Sequence, residues 1–168
     1  MNSKKISLYG MFIALAFIFS YIESLIPIPF PVPGIKLGLA NLVIIIALYG
    51  IGNKEALVLS VVRIVLVGLT FRSPSTLLFS FAGGLLSWLL MVIFRKLKIF
   101  SMVGVSIIGG IGHNVGQISV AILYVNNPGL IYYLPLLMIS GLVSGTLIGI
   151  LGAVTINRLQ KFLKHHIK

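Results

Sequence analysis

The sequence predicts an all-α integral membrane protein, a bundle of six transmembrane helices with both termini on the cytoplasmic side. Three observations predict it. First, 58% of the 168 residues are hydrophobic and 9% are charged, against about 25% charged in ordinary soluble domains. Only two acids occur, Glu23 and Glu55, too few to cover a soluble surface. Second, the apolar runs are long and continuous rather than alternating. In lipid every backbone amide must be satisfied inside a helix or a closed barrel, and continuous runs select the helix. Third, the basic residues fall between the apolar runs, nearly all on one side of them.

Taken in order, helix 1 is expected over about 6–26. Its start, Lys4-Lys5 before an apolar run containing Ala14-Leu15-Ala16, resembles a signal peptide. The small-residue triplet lies in the middle of that run, however, which continues to Ile22, so the run reads as the first membrane span. The stretch Pro27-Ile28-Pro29-Phe30-Pro31-Val32-Pro33-Gly34 follows. Four prolines at alternate positions cannot remain helical, since each lacks an amide donor and restricts the residue before it. This segment is either a stiff connector or a lid carrying Phe30 as an apolar plug. Helix 2 is expected over about 37–50, ending at Gly50-Ile51-Gly52-Asn53, and helix 3 over about 55–71. Both are near the lower length limit for spanning, so they are either barely tilted or buried among the others. Helix 4 is expected over about 76–94, with Ser75 as a candidate cap. A basic loop, Arg95-Lys96-Leu97-Lys98, separates it from helix 5 over about 100–125. Asn126-Asn127-Pro128-Gly129 is a strong turn signal, helix 6 runs over about 130–156, and a basic tail closes the chain. No internal repeat is visible, and the whole reads as one domain.

Six spans put Lys4, Lys5, Lys54, Arg95, Lys96, Lys98, Arg158, Lys161, Lys164 and Lys168 on one side, with only Lys36 and Arg72 on the other. That bias orients both termini toward the cytoplasm and places the chain in the cell membrane. The net charge of +11 therefore reflects topology, not nucleic-acid binding. The chain has no cysteine, which excludes disulfides, thiolate metal sites and cysteine nucleophiles. It also has no aspartate, so neither a Ser-His-Asp triad nor an aspartate cluster for Mg²⁺-diphosphate can be assembled. The cluster Gly109-Gly110-Ile111-Gly112 lacks the Gly-Lys-Ser/Thr ending of a phosphate loop. No catalytic residue, cofactor or metal site is expected.

Polar residues inside spans are costly and therefore informative. They are Glu23 near the outer end of helix 1, Asn41 in helix 2, Arg63 in helix 3, and His113, Asn114 and Gln117 in helix 5. Arg63 lies eight residues before Phe71, roughly 12 Å below the outer end of its helix at about 1.5 Å per residue. His113 and Gln117 are four apart and share a helical face. All of these groups fall in the outer half, so a shared outward pocket is expected, with Lys36 at its rim. Arg63 cannot shed its charge and needs a partner, either Glu23 or an anionic ligand. His113, Asn114 and Gln117 either line the pocket or bond between helices, and Asn41 carries the same ambiguity. Small residues recur at four-residue spacing, as in Gly10/Ala14, Ser80/Gly84, Gly112/Gly116, Gly141/Gly145 and Gly145/Gly149, which lets helices approach closely.

Three ordered motifs are distinctive: Gly34-Ile35-Lys36-Leu37-Gly38-Leu39-Ala40-Asn41, Val62-Arg63-Ile64-Val65-Leu66, and Gly112-His113-Asn114-Val115-Gly116-Gln117. With the six-span layout they resemble the Gx transporter family, also called heptaprenyl diphosphate synthase component I, over essentially the whole chain. That family is similar to the substrate-binding (S) components of energy-coupling factor transporters. The resemblance implies an outer pocket for a small-molecule substrate, covered by the loop after helix 1. It implies a transmembrane coupling subunit and cytoplasmic ATPases as partners, because such subunits do not hydrolyse nucleotide themselves. It also implies docking through a small-residue face of helix 1, where this chain offers Gly10 and Ala14. The resemblance implies two functional readings. One is capture of a small anionic or amphipathic nutrient (a vitamin, quinone or isoprenoid precursor). The other is a non-catalytic membrane partner of polyprenyl diphosphate synthesis.

Overall fold

The computed structural model describes residues 3–26, 38–71 and 74–166. The proline segment with Phe30 and Lys36, and Arg72, lie outside the described residues. Six α-helices are present among those described: α1 (Ser3–Leu25), α2 (Leu39–Gly50), α3 (Asn53–Phe71), α4 (Pro74–Leu97), α5 (Met102–Val125) and α6 (Leu134–His166).

Four helical segments are long and apolar enough to cross a membrane, Ile6–Leu25, Ser75–Leu97, Met102–Val125 and Pro128–Leu159. Their outward faces carry large apolar side chains such as Ile18, Leu89, Leu123 and Leu147, which only lipid can cover at such density. The protein is a multi-pass membrane protein. The other two helices differ from these four. α3 has the length, with 19 residues, but carries Lys54, Glu55 and Arg63. α2 has 12 residues, about 18 Å at about 1.5 Å per residue, against a hydrocarbon core of about 30 Å.

The shortness of α2 follows from where it sits. Ala40, Val43, Ile44, Ile45, Ala47 and Leu48 are all buried, and Ile45 and Leu48 are among the most deeply buried large side chains. A helix apolar on every face belongs in the interior, and α2 packs against α1, α3 and α6. Of the two sequence readings for this helix, burial among the others is the one realised.

The helix ends obey local chemistry. Pro74 opens α4 where its missing amide costs nothing. Ser101 Oγ accepts from Gly104 N at the start of α5, and Asn126 closes it in the left-handed region at φ 52°. Asn127 then caps a 3₁₀ turn, Pro128–Tyr133, which replaces the expected first turn of helix 6. The basic tail is not a loop, since α6 continues as helix to His166. Nor is 95–98 simply a basic loop. Arg95 and Lys96 occupy the last turn of α4, where cations complement exposed carbonyls. Arg95 Nη1 donates to Leu48 O and to Asn53 Oδ1, each at 2.6 Å, and the guanidinium lies 4.8 Å from the centre of the Tyr49 ring. Trp88 Nε1 donates to Asn53 O at 2.9 Å. These bonds tie the α2–α3 connection to α4.

The most extensive interfaces flank α5, and both are glycine seams. Toward α6, a Cβ added at Gly110 would sit 2.5 Å from Gly141 O, one at Gly145 2.7 Å from Ile107 Cα, and one at Gly149 2.7 Å from Val103 Cα. Toward α4, a Cβ at Gly116 would lie 2.8 Å from Ala82 O, and one at Gly83 2.6 Å from His113 O. Backbone meets backbone at each point, the arrangement that small residues permit in lipid. The Gly141/Gly145/Gly149 and Gly112/Gly116 spacings therefore serve packing within the chain.

Candidate functional site

At the end of the bundle where α1 finishes and α2 begins, a cavity of about 60 Å³ opens between the helices. Every described helix contributes to it: Ser20 and Glu23 from α1, Asn41 from α2, Arg63 from α3, Ser80 from α4, His113 and Asn114 from α5, and Ser144 from α6. Ile64, Val67 and Leu77 supply its apolar wall. Five of the residues singled out in the sequence, Glu23, Asn41, Arg63, His113 and Asn114, are thus brought to one space.

Each is placed for a local reason. Glu23 is buried, with 8% of its surface exposed, and Glu23 Oε1 accepts from Gly38 N. Gly38 is the N-cap of α2 at φ 76°, a left-handed conformation that suits glycine. The carboxylate therefore closes the N-terminus of α2, where the helix dipole favours negative charge. Asn114 resolves its ambiguity by doing both tasks. Its Nδ2 donates to Leu137 O and to Ser140 Oγ across the α5–α6 interface, while the residue also lines the cavity. Arg63 and His113 are half-buried at the cavity wall, and each makes further interactions in the structure.

Gln117 sits elsewhere. It is buried, and a Cβ at Gly83 would meet Gln117 Cγ at 2.8 Å, so this side chain packs at the α4–α5 seam and is not among the lining residues. Lys36 lies outside the described residues. Gly10 and Ala14 are exposed on α1, and a Cβ at Gly10 would meet nothing within 4 Å among the described residues. Among the described residues no group of three His, Asp or Glu side chains gathers as a metal would require. The cavity is lined by one carboxylate, one guanidinium, an imidazole, two amides and three hydroxyls.

The sequence model of the family described as heptaprenyl diphosphate synthase component I matches residues 12–155. The chain belongs to that family. No curated protein and no solved structure matches it. The matched stretch of this component I chain runs from Phe12 in α1 to Thr155 in α6, so all the lining residues fall within it, while Gly10 lies before it.

Three polar lining residues were not read as site residues in the sequence, Ser20, Ser80 and Ser144. Serine is common in membrane helices and carries no cost that marks it, unlike a charge. The available signal was register. Ser20 is three residues before Glu23 and so shares its face, and Ser80 heads a four-spaced pair with Gly84.

Gly38→Ala is expected to destabilise the component I bundle by about 1–2 kcal/mol, the cost of a left-handed L-residue. The added methyl itself has room, with Asn41 Nδ2 at 3.7 Å as its nearest neighbour. Thermal unfolding in detergent measures the loss. Glu23→Gln, which keeps the acceptor for Gly38 N, should cost less.

Proposed function

We propose that this component I chain is a membrane substrate-binding subunit that captures a small anionic or amphipathic solute through an ionised group. Six membrane passages with cytoplasmic termini, in a single domain, place the cavity in the outer leaflet, a topology supported by the ten-to-two Lys/Arg bias. The observation that carries the reading is the convergence of Glu23, Asn41, Arg63, His113 and Asn114 on one cavity. Polar groups in a bilayer interior mark ligand and ion sites by default. The guanidinium offers a fork of donors to a carboxylate or phosphate, the amides and hydroxyls fix orientation, and Glu23 holds the start of α2 in place. Lys36 and Gln117 complete the proposed set, with Gln117 supporting α5 at its seam with α4 rather than touching solute. The chain carries no nucleotide-binding motif, so energy for release comes from partners, a transmembrane coupling subunit and cytoplasmic ATPases. The open Gly10/Ala14 face of α1 is the docking surface for the first of these.

The family's description favours a second reading, a non-catalytic membrane partner of a prenyl diphosphate synthase. With no aspartate in the sequence, the aspartate cluster that holds Mg²⁺-diphosphate would belong to a partner under either reading. Affinity purification from native membranes in mild detergent separates the two. Co-purification of ATPase subunits, lost in Gly10→Leu, is expected. Recovery of a soluble prenyl synthase without any ATPase would overturn the capture reading in favour of the second.

A further inference from the structure

The cavity has a second chamber. A space of about 20 Å³ adjoins it and shares Gly38, Asn41, Gly110 and Ser144 with it. This inner chamber lies deeper along the bundle, against Ser87 and Met91 of α4 and Ser106 of α5. Ser87 and Ser106 are each only 5% exposed. Several serines of the bundle satisfy themselves on their own helix, as Ser20 does on Ala16 O and Ser119 on Val115 O, each at 2.8 Å. Among the described residues, Ser87 and Ser106 make no such bond, and both border the chamber. Buried hydroxyls require hydrogen-bond partners. A space of at least about 10–15 Å³ admits one water when about two to four polar groups surround it. The chamber meets both conditions, with Ser87, Ser106, Ser144 and Asn41 as the polar groups. Glycine at 109 keeps it open, since a Cβ there would lie 2.7 Å from Met91 Sδ and 3.3 Å from Ser87 Oγ.

We infer that the inner chamber is a hydrogen-bonding subsite at the deep end of the solute cavity. It holds one water in the free protein and takes a neutral hydroxyl or amide group of the solute in that water's place. The second half rests on the substrate-binding reading, and it narrows the solute class. The solute is ionised at the end that meets Arg63 and carries a neutral hydrogen-bonding group at the other end. A plain hydrocarbon end does not fit, because it would leave the two serine hydroxyls buried without partners. Hydroxy acids and acids bearing an amide at the far end have the required chemistry; a bare prenyl diphosphate presents hydrocarbon where the hydroxyls need a donor or acceptor.

X-ray radiolytic footprinting in H₂¹⁸O tests the subsite, because radicals born from a bound water label the side chains that touch it. Met91 is the reporter. In the wild-type chain, Met91 is expected to take up ¹⁸O readily despite being 5% exposed. Ser87→Val, which fills the chamber and removes a hydroxyl, is expected to cut that uptake at least fivefold, while Ser87→Thr, which keeps the hydroxyl, preserves it. Met102, which does not border the chamber, should be unchanged. An unlabelled Met91 in the wild type, or equal uptake in wild type and Ser87→Val, would overturn the subsite. The wild-type reading decides even if a variant fails to fold. A dry chamber in a chain that still carries solute would remove the subsite and leave the capture reading intact. A hydrated chamber in a chain that binds nothing would do the reverse.

Discussion

Arg63→Ala is expected to weaken solute binding about 100-fold while leaving the bundle folded. Hydrogen bonds to a charged group contribute about 1.5–3 kcal/mol, and about 1.4 kcal/mol is a factor of ten. Loss of both the charge and the fork therefore lies near the upper end of that range. Arg63→Lys keeps the charge but not the planar fork and should lose about tenfold. The competing account makes Arg63 half of a structural ion pair with Glu23, which lines the same cavity. In that case removing Arg63 leaves a buried carboxylate uncompensated, at about 3–5 kcal/mol, and the chain is destabilised with no specific effect on solute. Thermal unfolding alongside binding separates the two. If Arg63→Ala lowers stability, Glu23→Gln restores it and solute affinity is untouched, the pair is structural and Arg63 leaves the binding set.

Gly145→Val is expected to be the most damaging single change at a helix seam. A Cβ at this position would lie 2.7 Å from Ile107 Cα and 2.9 Å from Ser106 O. These are backbone atoms of a helix and cannot swing aside. α6 must move away from α5, and the seam opens along its length. Overpacking a tight interface costs about 1–3 kcal/mol or more, roughly a 5–10 °C fall in melting temperature for a chain of this size. Gly10→Val is the matched control. A Cβ there meets nothing within 4 Å, so its effect on stability should stay within about 0.5 kcal/mol. Melting curves of the two variants in one detergent check the contrast. Equal losses would mean that the α5–α6 seam is not the tight interface described.

The two glycines illustrate what the sequence could and could not disclose. Four-residue spacing marked both Gly141/Gly145 and Gly10/Ala14, yet spacing alone does not say whether the opposing backbone belongs to the same chain. Only the placement of α5 against α6 answers that. The charged and amide residues were more legible, because each is expensive in lipid and so stands out from its run. Glu23, Asn41, Arg63, His113 and Asn114 all reached the cavity. Gln117, on the same helical face as His113, turned instead toward Gly83, because a face wide enough to hold both borders two neighbours. The cavity's serines and the Arg95 bonds to Leu48 and Asn53 were not legible. Serine costs too little to be noticed, and Arg95 looked like loop charge because its partners lie over 40 residues away in sequence. Whether α2 was barely tilted or buried stayed open in the sequence for a related reason: hydropathy cannot distinguish a helix surrounded by lipid from one surrounded by helices.

The most direct measurement is native mass spectrometry of the chain released from lipid nanodiscs, wild type beside Arg63→Ala. A small ionised solute that rides with the wild type, exchanges on dilution and is missing from the folded variant is the predicted result. Wild-type protein that emerges bare after incubation with its host's small-molecule extract, or a solute retained equally by both chains, would contradict a binding cavity centred on Arg63.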